Sequence, residues 1–117
     1  MNAHIVYLCT LINSNKNMKS DVFNQYVERV LNLFDITKEE LFSKSKKREF
    51  VDARHLIYYL CAKRPMKILY IQKYMNENGY IIQHSSIIHG IASVEAKIKE
   101  DNDYVSIVKE VERAVFI

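Results

Sequence analysis

Apolar side chains recur at spacings of three and four along most of the chain, which is the pattern of an α-helix with one buried face. The pattern predicts helices at residues 21–34, 50–63, 65–78, 83–100 and 104–115. Thr37 and Glu40 form a capping box that opens a further short helix. Pro65 suits the first turn of its helix, and Gly79 suits a left-handed helix end. Because only two glycines and one proline occur in 117 residues, we expect an all-α fold with short connections.

The N-terminal region fits two interpretations. Residues 13–20 are polar and predict a loop, after which Ser20 or Asp21 caps the next helix. The segment AHIVYLCTLI, residues 3–12, is rich in β-branched residues but has no partner strand, so a short helix and a packed extended arm both fit. This apolar run is too short to cross a bilayer and no basic segment precedes it. We therefore expect neither a membrane anchor nor a signal peptide.

The two cysteines, Cys9 and Cys61, each lie in an apolar stretch of the sequence. Cysteines in such settings are more often buried free thiols than disulfide partners, and free thiols suit a reducing compartment. We therefore expect two buried thiols and a cytoplasmic location.

Positive charge is concentrated in the middle of the chain. Residues 44–73 contain nine lysines and arginines against Glu49 and Asp52, a net charge of +7. The remaining residues carry eight basic against twelve acidic side chains, a net charge of −4, so the whole chain has only +3. A solvated charged surface normally mixes the two signs. The separation of charge favours a surface that binds a polyanion.

The stretch QHSSIIHGI, residues 83–91, gathers the side chains from which an active site or a metal site could be built. His84 and His89 are five residues apart, which rotates them away from each other on a helix, and no CxxC or HxxxH spacing occurs. Ser85 and Ser86 lack a glycine-lined turn and an acidic partner for acyl transfer. The phosphate-binding motif GxxxxGK[ST] is also missing. We expect no enzyme, no metal, no cofactor and no bound nucleotide.

Two consecutive helices, 65–78 and 83–100, instead suggest a helix-turn-helix, whose second helix contacts base edges from its first turn. That first turn here is Gln83, His84, Ser85 and Ser86. Their small polar side chains can donate or accept hydrogen bonds at base edges, and the helix N-terminus favours a phosphate. The alternative is that the serines merely cap the helix and the histidines are surface residues. Spacing alone does not decide between the two.

Residues 35–99 resemble the C-terminal DNA-binding domain of the bacterial replication initiator DnaA. The family has a basic SKxR segment, a helix of the type (A/P)RQ(I/M)AMYL, and the signature DHTTV(I/L)HA at the start of the recognition helix. This chain has SKSKKRE at 43–49, ARHLIYYL at 53–60, ILYIQKYM at 68–75 and QHSSIIHG at 83–90. His84 and His89 fall on the two histidines of the signature.

The resemblance implies an all-α, Trp-repressor-like helix-turn-helix bundle with an additional N-terminal helix. Residues 1–34 would be an apolar segment and a helix packed on the core, and residues 35–117 the DNA-binding domain. The residues expected to face bases are Gln83, His84, Ser85 and Ser86. Those expected at the DNA backbone or in the minor groove are Lys46, Lys47, Arg48, Arg54, His55, Lys63, Arg64 and Lys67. Ile87, Ile88 and Ile91 would point inward, and His89 would be structural.

The chain departs from the family in the turn and in the signature, where Ser85 and Ser86 also replace both threonines. The turn YMNENGYIIQH, residues 74–84, is longer than the family's GGRDH connection, and Gln83 replaces an aspartate, adding a donor to an acceptor. We expect a double-stranded-DNA-binding protein of the nucleoid, with some sequence preference, in replication or transcription control without ATPase activity. The alternative is a protein-interaction module that keeps the fold and does not bind specific DNA. A homodimer or protein partner through the N-terminal segment suits either function.

Overall fold

A computed structural model describes residues 14–113, and within that range the chain forms helices and no strand. The helices are α1 (Ser14–Phe34), α2 (Lys38–Leu41), α3 (Arg48–Lys63), α4 (Ile68–Glu77), α5 (His84–Glu100) and α6 (Asn102–Arg113). The prediction of an all-α fold is confirmed. The interpretations of residues 3–12, of Cys9 and of the helix beyond residue 113 lie outside the described residues.

Local signals in the sequence define two of the helix ends. The Thr37 amide donates to Glu40 Oε1 at 2.8 Å, and the Glu40 amide donates to Thr37 Oγ1 at 3.1 Å. This is the predicted capping box, and it satisfies two amides at the start of α2 that have no partner within the helix. Gly79 ends the turn after α4 with a φ of +87°, a backbone conformation that costs glycine little. Both predictions are confirmed.

Two predicted boundaries are wrong. Residues 14–20 are helical and belong to α1, so neither Ser20 nor Asp21 caps the helix. That stretch has no glycine or proline, and its polar side chains are compatible with a helix in solvent. Pro65 lies in the connection before α4, which begins at Ile68. The connection is not free to become helix, because the Met66 amide donates back to the Cys61 carbonyl at 3.0 Å and the Met66 side chain is buried.

Helix α3 lies at the centre of the bundle and packs most extensively against α5 and α1. Its fully buried side chains recur at helical spacing and are Ala53, Leu56, Ile57, Leu60 and Cys61. Cys61 is a free thiol, as predicted, and burial raises its pKa. The large fully buried side chains of the surrounding helices complete the core; they include Phe23, Tyr26, Leu41, Ile71, Met75 and Ile87.

Helix α5 buries a narrow stripe against α3. Ile87, Gly90 and Val94 are the buried residues, and Ile91 is partly buried at its edge. Ile88 does not belong to this stripe, because each residue of a helix is rotated by about 100° from the one before. Its side chain is 53% exposed. The expectation that Ile88 points inward is therefore wrong, whereas that for Ile87 is confirmed.

Candidate nucleic-acid interface

The first turn of α5 is presented to solvent. Gln83, His84, Ser85 and Ser86 are all exposed, and Gln83 precedes the helix with an extended backbone (φ −101°, ψ 161°). Ser85 and Ser86 lie inside the helix, so the interpretation in which a serine caps it does not hold. Within the described chain, the Gln83 side chain makes no capping hydrogen bond either. The Ser86 amide donates to the Gln83 carbonyl at 3.1 Å, and the other amides of this turn are available to an anion, as the start of a helix favours.

Gln72 on α4 holds this turn in place. Its side-chain amide donates from Nε2 to the Ile82 carbonyl at 2.9 Å, which fixes the orientation of the amide. Its Oε1 then lies 2.8 Å from His84 Nε2. Because an amide oxygen can only accept, Nε2 of His84 is the donor, and Nδ1 is left as an acceptor in the neutral ring. Gln72 was not foreseen from the sequence, since its separation of twelve positions from His84 spans two helices and follows no helical spacing.

The basic loop, residues 42–47 between α2 and α3, lies next to the same turn. Lys44 Nζ donates to the Ile81 carbonyl at 2.6 Å and lies 4.1 Å from the centroid of the Tyr80 ring. The guanidinium carbon of Arg54 lies 4.8 Å from the same centroid. Two cations thus contact one aromatic ring, an arrangement that stabilises the contact through the ring's negative faces. The long turn before α5 is therefore attached to the basic loop.

The Arg54 side chain is buried, although it was expected at the DNA backbone or in the minor groove. It is only 4% exposed. Nε donates to the Leu41 carbonyl at 2.7 Å, and Nη2 donates to the carbonyls of Ser43 and Ser45 at 2.6 and 3.0 Å. A guanidinium occupied by three carbonyls in this way is directed into the protein. The structure therefore corrects the expected contact, and Arg54 shapes the basic loop from inside.

The basic loop, α3 and the start of α5 enclose a surface cleft. His55 stands in it half-buried, with the ring of exposed His89 at 6.0 Å between centroids and edge-on. Burial lowers the pKa of His55, Asp52 opposes this effect, and His89, Lys97 and Arg54 add to it. Helices α3 and α5 approach closely at Gly90, where a Cβ would lie 2.7 Å from His55 Cδ2 and 2.8 Å from Tyr58 Cδ2.

The cations at the start of α3 are exposed. Lys47 pairs with Glu49 at 3.0 Å, and Arg48 lies 3.9 Å from Asp52. Such exposed pairs contribute little to stability and exchange readily for a phosphate. Lys46 lines the cleft and forms no ion pair with any residue in the range 14–113.

The expected phosphate contacts Lys63 and Arg64 lie elsewhere. Both are at the far end of α3, about 22 Å along the helix axis from its basic start. Lys63 lies 3.9 Å from Glu112 on α6, and Arg64 Nε donates to the Tyr26 hydroxyl on α1 at 3.1 Å. Burial raises the pKa of Tyr26 to about 12, against the opposing effect of Arg64. The structure does not bring these two residues to the first turn of α5, whereas Lys67 is exposed immediately before α4.

Residues 14–113 hold neither a cluster of metal ligands nor a membrane-spanning helix. No group of three histidine, cysteine or acidic side chains there is placed to hold a metal ion. No helix in that part of the chain is both long enough and apolar enough to span a membrane.

Helices α4 and α5 are consecutive and joined by a turn. The first turn of α5 is polar and exposed, and it lies beside a basic loop. This arrangement defines a DNA-binding helix-turn-helix domain. The family model described as "Bacterial dnaA protein helix-turn-helix" matches residues 24–94, more than half of the chain. The chain therefore belongs to the bacterial DnaA helix-turn-helix family, which confirms the resemblance drawn from its motifs. Double-stranded DNA is the partner that this class implies.

A curated relative gives the same result. The chromosomal replication initiator protein DnaA of Oleidesulfovibrio alaskensis is 34% identical over 76 residues, which are 64% of this chain and 15% of that protein. The chain thus spans a small part of the length of the relative. No solved structure matches the chain.

Proposed function

We propose that this protein binds double-stranded DNA with a sequence preference and acts at the nucleoid in replication or transcription control, without ATPase activity. One observation carries the proposal. Gln72 holds the exposed turn Gln83–Ser86 through His84, and Lys44 holds Ile81 just before that turn, next to a loop of cations. A fixed polar turn beside positive charge is what contact with base edges and phosphates requires.

The side chains of the turn suit the edges of bases in the major groove. Gln83 can form a bidentate pair with adenine through its amide. His84 offers Nδ1 as an acceptor, because Gln72 already accepts from Nε2. Ser85 and Ser86 can donate to or accept from either partner of a base pair. The preference would come from these four residues.

The cations suit the DNA backbone on both sides of that turn. Lys46, Lys47 and Arg48 lie on one side, where Lys46 stands at the place of the minor-groove arginine that the resemblance implies, and His55 lies in the cleft between. Lys67 lies at the start of α4, where it can contact a phosphate on the other side. These contacts would supply most of the affinity and make it dependent on salt.

Fluorescence anisotropy with labelled duplexes at several salt concentrations tests the proposal. We expect affinity to fall linearly with the logarithm of salt concentration, and Lys46→Ala to reduce the magnitude of that slope by about 1. Lys109→Ala, an exposed lysine of α6, is the matched control and should keep the wild-type slope. An affinity indifferent to salt would contradict the proposal. A protein that binds no duplex at low salt and sediments as a dimer would be the interaction module instead.

Selection of bound sequences from random duplexes tests the assignment of the turn. We expect wild-type protein to select a motif and His84→Ala to lose discrimination at one position, at a cost of about 1–3 kcal/mol for a good contact. The His84→Ala variant should keep its salt dependence, because the histidine is expected to contact a base. An unchanged motif would show that α5 does not supply the preference.

A further inference from the structure

Ile88 is exposed on the helix that the proposed function places in the major groove. The buried residues of α5, Ile87, Gly90 and Val94, define the direction of the core. At about 100° per residue, Ser85, Ile88, Ala92 and Ala96 lie within about 80° of one another on the side away from these buried residues, and they form an outward crest. All four are exposed. Ile88 is the one large apolar side chain among these four.

The two flanks of the crest are directed toward the protein. His84 is held against α4 by Gln72, at 2.8 Å, and His89 turns its ring edge toward His55 in the cleft beside α3. Ile88 lies between these flanks, one turn after His84, and is 53% exposed. The following crest residues are alanines, so Ile88 protrudes from a crest that otherwise permits close approach.

Among the base edges of the major groove, an isoleucine at such a place has one apolar complement. Base edges in the major groove present hydrogen-bond donors and acceptors, together with the C5-methyl group of thymine. Ile88 cannot form the hydrogen bonds that a polar base edge gives up when it loses its water. Contact with such an edge would bury an unpaired polar group, which is unfavourable. Contact with a methyl group removes apolar surface from water on both sides.

We propose that Ile88 contacts the C5-methyl group of a thymine in the target site and is a further specificity-determining residue. The inference rests on the proposed function, since it requires α5 to lie in the major groove. It adds to the hydrogen-bonding turn an apolar contact one helical turn further along. The target is accordingly expected to contain a thymine that the polar turn does not specify.

Replacement of thymine by deoxyuridine tests this contact directly, because it removes the methyl group and keeps base pairing. With the duplex selected by wild-type protein, single deoxyuridine replacements should weaken binding about fourfold at one position, the value for one buried methyl group. Ile88→Ala should bind the thymine duplex less tightly and lose the response to deoxyuridine at that position. Leu33→Ala, a 44% exposed apolar residue of α1, is the matched control and should keep the response.

The outcomes separate this inference from the proposed function. If the wild-type protein selects no sequence, both are refuted. If it selects a sequence but deoxyuridine has no effect at any position, only the Ile88 contact is refuted. The same holds if Ile88→Ala responds to deoxyuridine as wild type does. Circular dichroism of Ile88→Ala should match wild type, since the residue is exposed, and Ile88→Val should retain part of the response because it keeps a β-branched methyl group.

Discussion

Replacement of Arg54 distinguishes a residue that shapes the site from one that contacts DNA. Arg54→Met keeps most of the aliphatic volume of the side chain and removes the guanidinium with its hydrogen bonds to three carbonyls. It also removes the cation next to the Tyr80 ring, 4.8 Å from its centroid. We expect a large loss of stability, and a loss of DNA affinity that follows from a disordered loop.

The loss of stability in Arg54→Met depends on which of the three carbonyls water can reach. Hydrogen bonds to a charged group contribute about 1.5–3 kcal/mol each, which gives about 4.5–9 kcal/mol for three if none of the freed carbonyls is hydrated. The carbonyls of Ser43 and Ser45 belong to a partly exposed loop and can be hydrated once the guanidinium is gone. Leu41 is fully buried, so its carbonyl loses its partner without replacement. We therefore expect about 3 kcal/mol, or about 12 °C in Tm for a domain of this size.

Thermal and urea unfolding measure this loss, and anisotropy against salt measures DNA contact. Arg54→Lys should recover less than half of the stability, because one ammonium group cannot donate to three carbonyls as a planar guanidinium does. Arg48→Met is the matched arginine on the exposed side of α3, and its unfolding free energy should stay within about 0.5 kcal/mol of wild type. That variant should instead lower the salt dependence of binding. A wild-type Tm in Arg54→Met, together with a reduced salt slope, would show that Arg54 contacts phosphate directly.

Further predictions concern His55 and the two glycines. Burial lowers the pKa of His55 below its ordinary value of 6.5, so its contribution to stability is present above pH 6.5 and is lost as pH falls through the folded-state pKa. Tm should therefore fall more between pH 7.5 and 5.5 in wild type than in His55→Gln, and equal shifts would contradict this. Gly90→Ala should lower the unfolding free energy by about 1 kcal/mol, because overpacking against His55 costs about 1–3 kcal/mol and helix propensity returns about 1; a higher Tm would contradict the close approach. Gly79→Ala, which has open space around it, should lose about 1 kcal/mol through its left-handed backbone alone, and chemical denaturation of both variants checks the comparison.

The helices could be predicted from the sequence because their signals are local. The spacing of apolar residues, the capping box at Thr37 and the glycine at 79 depend on neighbours within a few positions, and each gave the correct feature. The errors also have local causes. Residues 14–20 have neither a periodic apolar pattern nor a helix-breaking residue. Their polarity suggested a loop, whereas packing of the following turns continues the helix through them. Ile88 shares its residue type with buried Ile87 and differs only in the rotation of one position.

The arrangement of the candidate site depends on contacts between distant residues. An arginine in a basic segment is equally compatible with a phosphate contact and with buried carbonyls, and only the positions of Leu41, Ser43 and Ser45 decide for Arg54. Likewise, Lys63 and Arg64 belong to the basic span of the sequence but lie at the opposite end of α3. Net charge along a sequence predicts that a basic surface exists, whereas helix geometry decides which cations belong to it.

The long turn before α5 connects the start of that helix to the basic loop. Its extra residues place Tyr80 between Lys44 and Arg54 and bring the Ile81 carbonyl to Lys44. A longer connection would normally increase the freedom of the helix that follows, because the entropy of a loop grows with its length. Here the added length supplies the groups that attach the turn to the basic loop. The cations of that loop and the polar turn of α5 therefore keep a fixed relative position, and in the proposed function a phosphate contact at one would set the register of base contacts at the other.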